Sequence, residues 1–232
     1  MKNRQIEANP TRWHVLDNPD TVAAQAAQRI LHAASRAITE RGRFRIVLAG
    51  GRTPQAAYGL LVGADTDWSR WEIYFGDERC LPVDDAERNS LMAAGALLDA
   101  VAVPAAHVHP IPAERGAEAA AAAYEPVISA ALPFDLVLLG IGEDGHTASL
   151  FPGQQHAADQ LVHAVHNAPK PPPDRVSLSA RALSEAREVL ILVTSAGKQA
   201  AIRGWRAGER LPIAGIGGSA QVDVLLDKAA QA

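Results

Sequence analysis

The feature that most constrains the fold is an apolar run that leads directly into a glycine-rich turn. Residues 134–139 carry one acid among five apolar side chains, a composition typical of a strand buried inside a parallel sheet. The turn that follows, 140–153, contains Asp144 and His146. Open α/β sheets place their ligands at the carboxyl ends of their strands. We therefore expect the chemical centre of the chain in this turn.

Short apolar runs alternate with alanine-rich segments along the whole chain. Strands are predicted over residues 13–16, 43–49, 71–75, 108–111, 134–139, 161–165, 175–178 and 188–194. Helices are predicted over residues 20–42, 89–101, 114–131, 179–187 and 222–230, and in two segments that begin near Thr53 and Lys198. This alternation favours a largely parallel sheet with helices on both faces, a Rossmann-like three-layer α/β/α fold.

Two helix starts carry residues that favour capping. Asp20 precedes an alanine-rich segment that ends at Gly42, so we expect an N-cap at Asp20 and a C-terminal stop at Gly42. Thr53 is predicted to cap a second helix, with Pro54 at its first helical position.

The second of these helix starts follows two glycines, Gly50 and Gly51, and includes Arg52. Glycines let the backbone approach a ligand closely, and the free N–H groups of a helix start favour an anion. A phosphate site is favoured here over an ordinary strand-to-helix turn, although both interpretations stay open. The Gly-x-x-x-x-Gly-Lys-Ser/Thr pattern is absent from the sequence, which argues against a nucleotide P-loop.

Charged residues also stand at two other predicted strand ends. Asp77, Glu78 and Arg79 follow the strand 71–75, and Lys198 begins a helix after the strand 188–194. The first group is either part of a site or a solvated loop with surface ion pairs. Lys198 either reaches a bound anion or is an exposed lysine of a first helical turn.

Composition excludes several classes of protein. The 232 residues carry a net charge of −4 at a sequence pI near 6.1, so no general attraction to nucleic acid or to an anionic membrane is expected. Residues 1–13 lack the apolar core of a signal peptide, and no apolar run approaches the roughly 20 residues that span a bilayer. The only cysteine, Cys80, excludes an internal disulfide and is interpreted as an ordinary thiol at a strand end. We expect a cytoplasmic protein with a single domain over residues 1–232.

The glycine-rich turn matches Gly-x-Gly-x-x-Gly literally, so a dinucleotide site has to be considered. The motif lies past the middle of the chain, and Pro152 would end any helix that it opened. Both features argue against a dinucleotide site. His146 stands out among the histidines because Asp144, two residues away, can orient its imidazole. The remaining histidines are interpreted as structural, without metal-ligand spacing: His14, His32, His107, His109, His156, His163 and His166.

Residues 50–54, 76–79 and 140–152 together resemble the 6-phosphogluconolactonase family, and the resemblance extends over nearly the whole chain. It implies hydrolysis of 6-phospho-D-glucono-1,5-lactone in the oxidative pentose phosphate pathway, without a metal or other cofactor. His146 is then the expected general base, Asp144 its orienting acid, and backbone N–H groups of the glycine turn the expected oxyanion donors. The expected substrate-binding residues are Gly50, Gly51, Arg52, Thr53, Asp77, Arg79, Asn89, Gly142, Gly145, Arg175 and Lys198.

Glucosamine-6-phosphate deaminases are the related class that competes with this interpretation. They resemble the chain at the two-glycine turn and around the histidine, but residues 76–79 and 147–152 follow the lactonase pattern instead. Asn89 is the weakest site assignment, because Arg88 precedes it where lactonases commonly have serine. A phosphosugar-binding module without catalytic activity is a further alternative. The sequence makes no prediction of the oligomeric state.

Overall fold

The computed structural model of the protein describes residues 11–217 and 220–232. The strands are β1 (Arg12–Leu16), β2 (Phe44–Leu48), β3 (Trp71–Phe75), β4 (Asp77–Arg79), β5 (Phe134–Gly140), β6 (Val162–Val165), β7 (Arg175–Leu178), β8 (Ala186–Val193) and β9 (Gln221–Asp227). The α-helices are α1 (Pro19–Arg41), α2 (Arg52–Gly59), α3 (Asn89–Ala96), α4 (Ala117–Ala131), α5 (Ala180–Ser184) and α6 (Gln199–Arg206). Within these two ranges, every helix is too short or too polar to cross a membrane.

Six parallel strands form the main sheet, in the order β1-β9-β8-β5-β2-β3. β5 lies inside this sheet, between β8 and β2, and its side chains are buried as far as Leu139. A strand with neighbours on both sides and packed layers on both faces has no solvent-facing side, which is why its sequence is a nearly continuous apolar run. The predicted α/β fold with a parallel sheet is confirmed.

A second sheet contains three antiparallel strands in the order β4-β7-β6. The chain enters it directly from β3 through Gly76, whose N–H donates to the Leu48 carbonyl at 3.0 Å and whose carbonyl accepts from the Leu178 N–H at 2.8 Å. Asp77 and Glu78 of β4 are both buried. The alternative of a solvated loop at residues 77–79 is therefore wrong. The pairing of β4 with β7 places Arg79 opposite Arg175.

The start of α1 differs from the prediction. Asn18, rather than Asp20, is the N-cap: its side-chain oxygen accepts from the Thr21 N–H at 2.9 Å, and Thr21 Oγ1 accepts from the Asn18 N–H at 3.1 Å. Pro19 then occupies the first helical position, where no N–H donor is needed. At the other end Gly42 has a φ of +75°, and this predicted stop is confirmed.

The start of α2 also differs from the prediction. Its N-cap is Gly51, with a φ of +102°, and no side chain caps the helix. Thr53 lies inside the first turn, where its Oγ1 is 2.7 Å from Oγ1 of Thr194. The predicted cap at Thr53, with Pro54 at the first helical position, is therefore wrong by two residues. The first N–H groups of α2 are left for water or a ligand.

Two predicted elements are wrong. The predicted helix over 222–230 is largely β9, a strand that lies between β1 and β8 and is buried at every position after Gln221. A helix would have left part of this sequence facing solvent, whereas an interior strand buries all of it. Residues 108–111 form a single bridge from Val108 to Ile73 instead of a strand, because Pro110 lacks the N–H that a ladder requires.

Candidate active site

Two adjoining cavities lie at the carboxyl ends of the central strands. The histidine cavity has a volume of about 210 Å³. Its polar lining residues are Asp77, Arg79, Asn89, His146, Thr147 and Arg175. The lysine cavity has a volume of about 510 Å³. Its polar lining residues are Asp20, Arg52, Thr53, Glu143, Thr194, Ser195 and Lys198. The two cavities share Gly50, Gly51, Gly140 and Ile141, so a ligand can extend from one into the other across the two glycine turns.

His146 and Asp144 form a hydrogen-bonded pair at the mouth of β5. Nδ1 of His146 is 2.5 Å from Oδ1 of Asp144, which also accepts from the His146 backbone N–H at 3.2 Å. Burial alone raises the pKa of Asp144, but these bonds and the attraction to the imidazole outweigh it, so its pKa lies below the ordinary value. An ionised carboxylate only accepts, so Nδ1 carries the proton and Nε2 has the lone pair of a base.

Two glycines leave the space that polar side chains of the site occupy. A Cβ on Gly142 would lie 2.0 Å from Nδ1 of His146 and 2.6 Å from Oδ1 of Asp144. A Cβ on Gly50 would lie 2.1 Å from Oδ1 of Asn89. Both distances are far below van der Waals contact. Any side chain at either position would therefore displace a polar group of the site.

The expected oxyanion donors of the glycine turn are used inside the turn itself. The Gly142 N–H donates to the His146 carbonyl at 2.7 Å, and the Gly145 N–H donates to the Gly142 carbonyl at 3.1 Å. Gly145 packs against Leu211 and does not line either cavity. The turn therefore holds His146 in place, and these two N–H groups are not among the oxyanion donors that were expected from it.

Asp77 is a buried carboxylate held by residues from two other segments. Its Oδ2 accepts from Ser149 Oγ at 2.6 Å, and its Oδ1 accepts from Nδ2 of Asn89 at 3.0 Å. Nδ2 of Asn89 also donates to the Asp77 carbonyl at 2.9 Å. These bonds connect three segments that are far apart in sequence and fix the carboxylate against the histidine cavity. Asn89, the weakest sequence assignment, therefore has a defined structural place.

Glu78 explains why the helix α3 begins beside this cavity. Its side chain is fully buried, and its two oxygens accept from the backbone N–H groups of Asn89 at 2.7 Å and Ser90 at 2.8 Å. Oε2 also accepts from Ser90 Oγ at 2.7 Å. A carboxylate that satisfies the first N–H groups of a helix acts as its N-terminal cap. Glu78 thus positions Asn89 without lining the cavity itself.

Two arginines line the histidine cavity from the second sheet. Arg175 is buried, with Nη2 donating to the Lys170 carbonyl at 2.9 Å and Nε to the Pro172 carbonyl at 3.1 Å. Burial lowers the pKa of Arg175, an effect that the nearby Asp77 carboxylate opposes. Arg79 donates through Nη1 to the Glu87 carbonyl, and its Nε is buried with no hydrogen-bond partner among the described residues. The cavity therefore carries two cations that the surrounding backbone orients.

The lysine cavity contains two further cations. The side chain of Lys198 makes no hydrogen bond or ion pair within the described part of the chain, and Arg52 is exposed beside the uncapped start of α2. Burial lowers the pKa of Lys198, and Lys170 adds to this effect, whereas Glu143 and Asp144 oppose it. Ammonium, guanidinium and free helix N–H groups around one space are the donors that suit a phosphate dianion.

A family model described as glucosamine-6-phosphate isomerases/6-phosphogluconolactonase matches residues 17–225. The chain is 38% identical to a 6-phosphogluconolactonase from Mycobacterium leprae, over 94% of this chain and 96% of the relative. The chain belongs to the glucosamine-6-phosphate isomerase/6-phosphogluconolactonase family. Its structure superposes on a 6-phosphogluconolactonase from Thermotoga maritima with a TM-score of 0.88 and 28% identity, covering 94% of this chain and all of the other.

The fold by itself does not separate the two activities in the family's description. A monomeric glucosamine-6-phosphate deaminase has a TM-score of 0.81 to this chain at 19% identity, covering 94% of this chain and 98% of the other. The residues at 76–79 and 147–152 are the ones expected to differ between the two classes. In this member of the family the two segments are in contact, because Ser149 donates to Asp77.

The structure brings most of the predicted site residues to the two cavities. Those at the histidine cavity are Gly50, Gly51, Asp77, Arg79, Asn89, Gly142, His146 and Arg175. Those at the lysine cavity are Gly50, Gly51, Arg52, Thr53 and Lys198. Asp144 lines neither cavity but contacts His146. Gly145 lines neither cavity and lies next to Leu211. Sequence reasoning missed Ser149 as a partner of Asp77. A serine in an otherwise apolar stretch was the available signal, since a buried hydroxyl needs a partner.

Cys80 follows β4 directly, at the strand end where it was expected. Burial, followed by the charge of Asp174, raises the pKa of Cys80 to about 11. The thiol is therefore protonated at neutral pH and is a poor nucleophile.

Proposed function

We propose that this chain hydrolyses 6-phospho-D-glucono-1,5-lactone to 6-phospho-D-gluconate, a step of the oxidative pentose phosphate pathway, with His146 as the general base. The observation that carries the proposal is an imidazole that lines a polar cavity while its Nδ1 is held by Asp144 at 2.5 Å. We also propose that the chain acts as a single domain in the cytoplasm. Its dispersed charges and single cysteine support that location.

The chemistry follows from the tautomer that Asp144 selects. Nε2 of His146 takes a proton from a water molecule as the water oxygen bonds to the lactone carbonyl carbon. The bond between that carbon and the ring oxygen then breaks, and the imidazolium returns the proton to the departing oxygen. The product is a single open-chain molecule that carries the new carboxylic acid at one end and the former ring oxygen as a hydroxyl group, so the atoms balance without a cofactor. General base catalysis of this kind contributes about 10²–10⁴ in rate.

The negative charge that develops on the carbonyl oxygen needs donors within the histidine cavity. Because the N–H groups of Gly142 and Gly145 are used inside the turn, we assign this role to the guanidinium groups of Arg79 and Arg175. Donors that are held in place before the reaction stabilise such a charge with little reorganisation. The carbonyls that bind Arg175 supply that fixed orientation.

The phosphate of the substrate fits the lysine cavity better than the histidine cavity. It lies at the opposite end of the sugar from the reacting carbon, so the two ends need separate spaces. The lysine cavity is the larger one and joins the histidine cavity through Gly50 and Gly51. Binding of the phosphate by Lys198, Arg52 and the start of α2 would hold the lactone carbonyl next to His146.

The decisive experiment supplies the purified protein with freshly generated 6-phosphogluconolactone and, separately, with glucosamine-6-phosphate. Acid release from the lactone above a no-enzyme control supports the proposal, since the lactone also hydrolyses spontaneously. Ammonia release from the amino sugar would instead support deaminase activity. Retention of a phosphosugar with neither reaction would support a binding module and overturn the proposed catalysis.

Substitution of Lys198 tests the phosphate position. Loss of a charge-assisted hydrogen bond in Lys198→Ala is expected to raise KM about tenfold to hundredfold, with kcat changed much less. The matched control is Lys228→Ala, which removes an exposed lysine that pairs with Asp17. Equal KM values for Lys198→Ala and the wild-type protein would contradict the assignment.

A further inference from the structure

Phe151 supports the histidine cavity from behind. Its ring centroid lies 4.8 Å from that of His146, at an angle of 45° between the ring planes. The side chain is buried and lines a separate cavity of about 860 Å³, and it lines neither the histidine cavity nor the lysine cavity. Phe151 therefore contacts a residue of the site without being in a position to contact the substrate.

The same ring also lies next to Arg175. Cζ of the guanidinium is 5.6 Å from the Phe151 centroid, within the distance at which a cation is attracted to an aromatic ring. The edge of this guanidinium is already bound by the carbonyls of Lys170 and Pro172. One aromatic ring thus contacts both the proposed base, in the turn after β5, and a proposed oxyanion donor, at the start of β7.

His146 needs such support because its polar contacts leave it freedom to move. Within the described residues, its ring makes one hydrogen bond, to Asp144, and the Asp144 side chain is 40% exposed. A single bond to a partly exposed partner fixes one ring atom but not the tilt of the ring. An apolar wall fixes the tilt, and an aromatic face also favours the imidazolium that forms during the reaction.

We propose that Phe151 is a positioning residue that sets the orientation of His146 relative to Arg175. This proposal rests on the proposed lactonase function. It also explains physically why phenylalanine stands in the segment 147–152: Ser149 holds Asp77, and Phe151 holds the base and the arginine. A side chain of similar volume without an aromatic face would fill the space but lose the attraction to both groups.

The test compares Phe151→Leu, Phe151→Tyr and the control Phe44→Leu. Phe44 is an equally buried phenylalanine at the amino end of β2, where its ring packs on Trp71. We expect Phe151→Leu to lower kcat/KM about tenfold to hundredfold through misplacement of the reacting groups, with kcat reduced and KM raised. Phe151→Tyr should restore most of this loss. Phe44→Leu should lower the stability but leave kcat and KM within about twofold, because its effect is on packing alone.

A measurement without substrate separates this proposal from the proposed function. The nuclear Overhauser contacts of the His146 ring protons with residues that line the histidine cavity should change in Phe151→Leu, because the imidazole loses the wall that fixes its tilt, and should stay the same in Phe44→Leu. If the wild-type protein fails to hydrolyse the lactone, the proposed function fails, while the NMR comparison still tests whether Phe151 orients His146. Unchanged contacts of the His146 ring and unchanged kcat and KM in Phe151→Leu would overturn the positioning role.

Discussion

Two of the aspartate–histidine pairs in the described residues lie at opposite ends of the main sheet and have almost the same bond length. Asp144 and His146 are joined at 2.5 Å beyond the carboxyl end of β5, and Asp223 and His14 at 2.6 Å near the amino ends of β9 and β1. The surroundings are opposite. In the first pair the carboxylate is 40% exposed and the histidine 18%, whereas in the second they are 2% and 40%.

The partners of the two carboxylates explain the difference. Asp223 binds Arg12 through two hydrogen bonds of 2.9 and 2.6 Å and Arg29 through one of 2.6 Å, in addition to His14. This carboxylate is saturated, and the histidine is one of three side chains that fasten the edge strand β1 and helix α1 to β9. Within the described residues, the Asp144 side chain accepts hydrogen bonds from His146 alone. In this pair the carboxylate orients the imidazole of His146, which lines the histidine cavity.

A short bond between a carboxylate and an imidazole is therefore no sign of catalysis by itself. His166 makes the same point, because both of its ring nitrogens are engaged, by Asp174 at 2.8 Å and Glu118 at 3.1 Å. A general base needs one ring nitrogen that is held and one that is free to take a proton next to a cavity. His146 is the histidine of the three that has this arrangement.

The largest expected effect is that of His146→Ala. We expect kcat/KM for the lactone to fall about 10²–10⁴-fold and the free energy of unfolding to change by less than about 1 kcal/mol. Initial rates above spontaneous hydrolysis and urea unfolding measure the two quantities. His166→Ala, which also removes a histidine paired with carboxylates, should keep full activity. Full turnover in His146→Ala would remove this residue from the mechanism.

Asp144→Asn should have the next largest effect. Replacing a charge-assisted hydrogen bond by a neutral one is expected to lower kcat about tenfold to hundredfold. Initial rates at saturating lactone measure the effect. An unchanged kcat would show that Asp144 does not act through the imidazole.

Asp223→Asn should affect stability rather than catalysis. We expect a loss of about 1–3 kcal/mol in the free energy of unfolding, below the range for fully buried pairs because Arg12 and His14 are partly exposed. The value of kcat per folded molecule should not change. Urea unfolding and active-site titration separate the two quantities. A loss of catalysis without a loss of stability would contradict the structural role assigned to Asp223.

The stability that Asp223 contributes should depend on pH in a defined way. Burial alone raises the pKa of Asp223, but hydrogen bonds from Arg12 and His14 and the charges of Arg29 and Arg12 outweigh it, so its folded pKa lies below the unfolded value. Its contribution is then complete above the unfolded pKa of about 3.9 and is lost as the pH falls through the lower folded pKa. The stability difference between the wild-type protein and Asp223→Asn should therefore be constant from neutral pH to about pH 4 and shrink below it.

The smallest expected effect is that of His14→Gln. The glutamine amide can still donate to Asp223, and the histidine is partly exposed, so the loss of unfolding free energy should stay below about 1 kcal/mol. Activity should equal that of the wild-type protein. Compared with His146→Ala, this variant would show that His14 is dispensable for activity although it is also paired with an aspartate, whereas His146 is not. A loss of several kcal/mol would show that His14, rather than the arginines, holds β1 in place.

Local patterns in the sequence were sufficient for the centre of the fold. The strand β5, the helix stop at Gly42 and the contact between Asp144 and His146 are all confirmed, because each depends on residues within a few positions of one another. The wrong predictions concern features that depend on residues far apart in the sequence. The strand β9 was predicted as a helix, since its flanks are rich in alanine and nothing local indicates that β1 and β8 will lie on its two sides.

The sequence by itself determined that a buried parallel strand ends in a glycine turn with an acid and a base, and that the family is the one its motifs resemble. The tertiary structure decided which charged groups share a space. Ser149 reaches Asp77 across 72 positions of the chain, and the Phe151 ring lies next to both His146 and Arg175. These contacts depend on the order of the strands in two sheets. That order is set by packing over the whole chain, and no single segment encodes it.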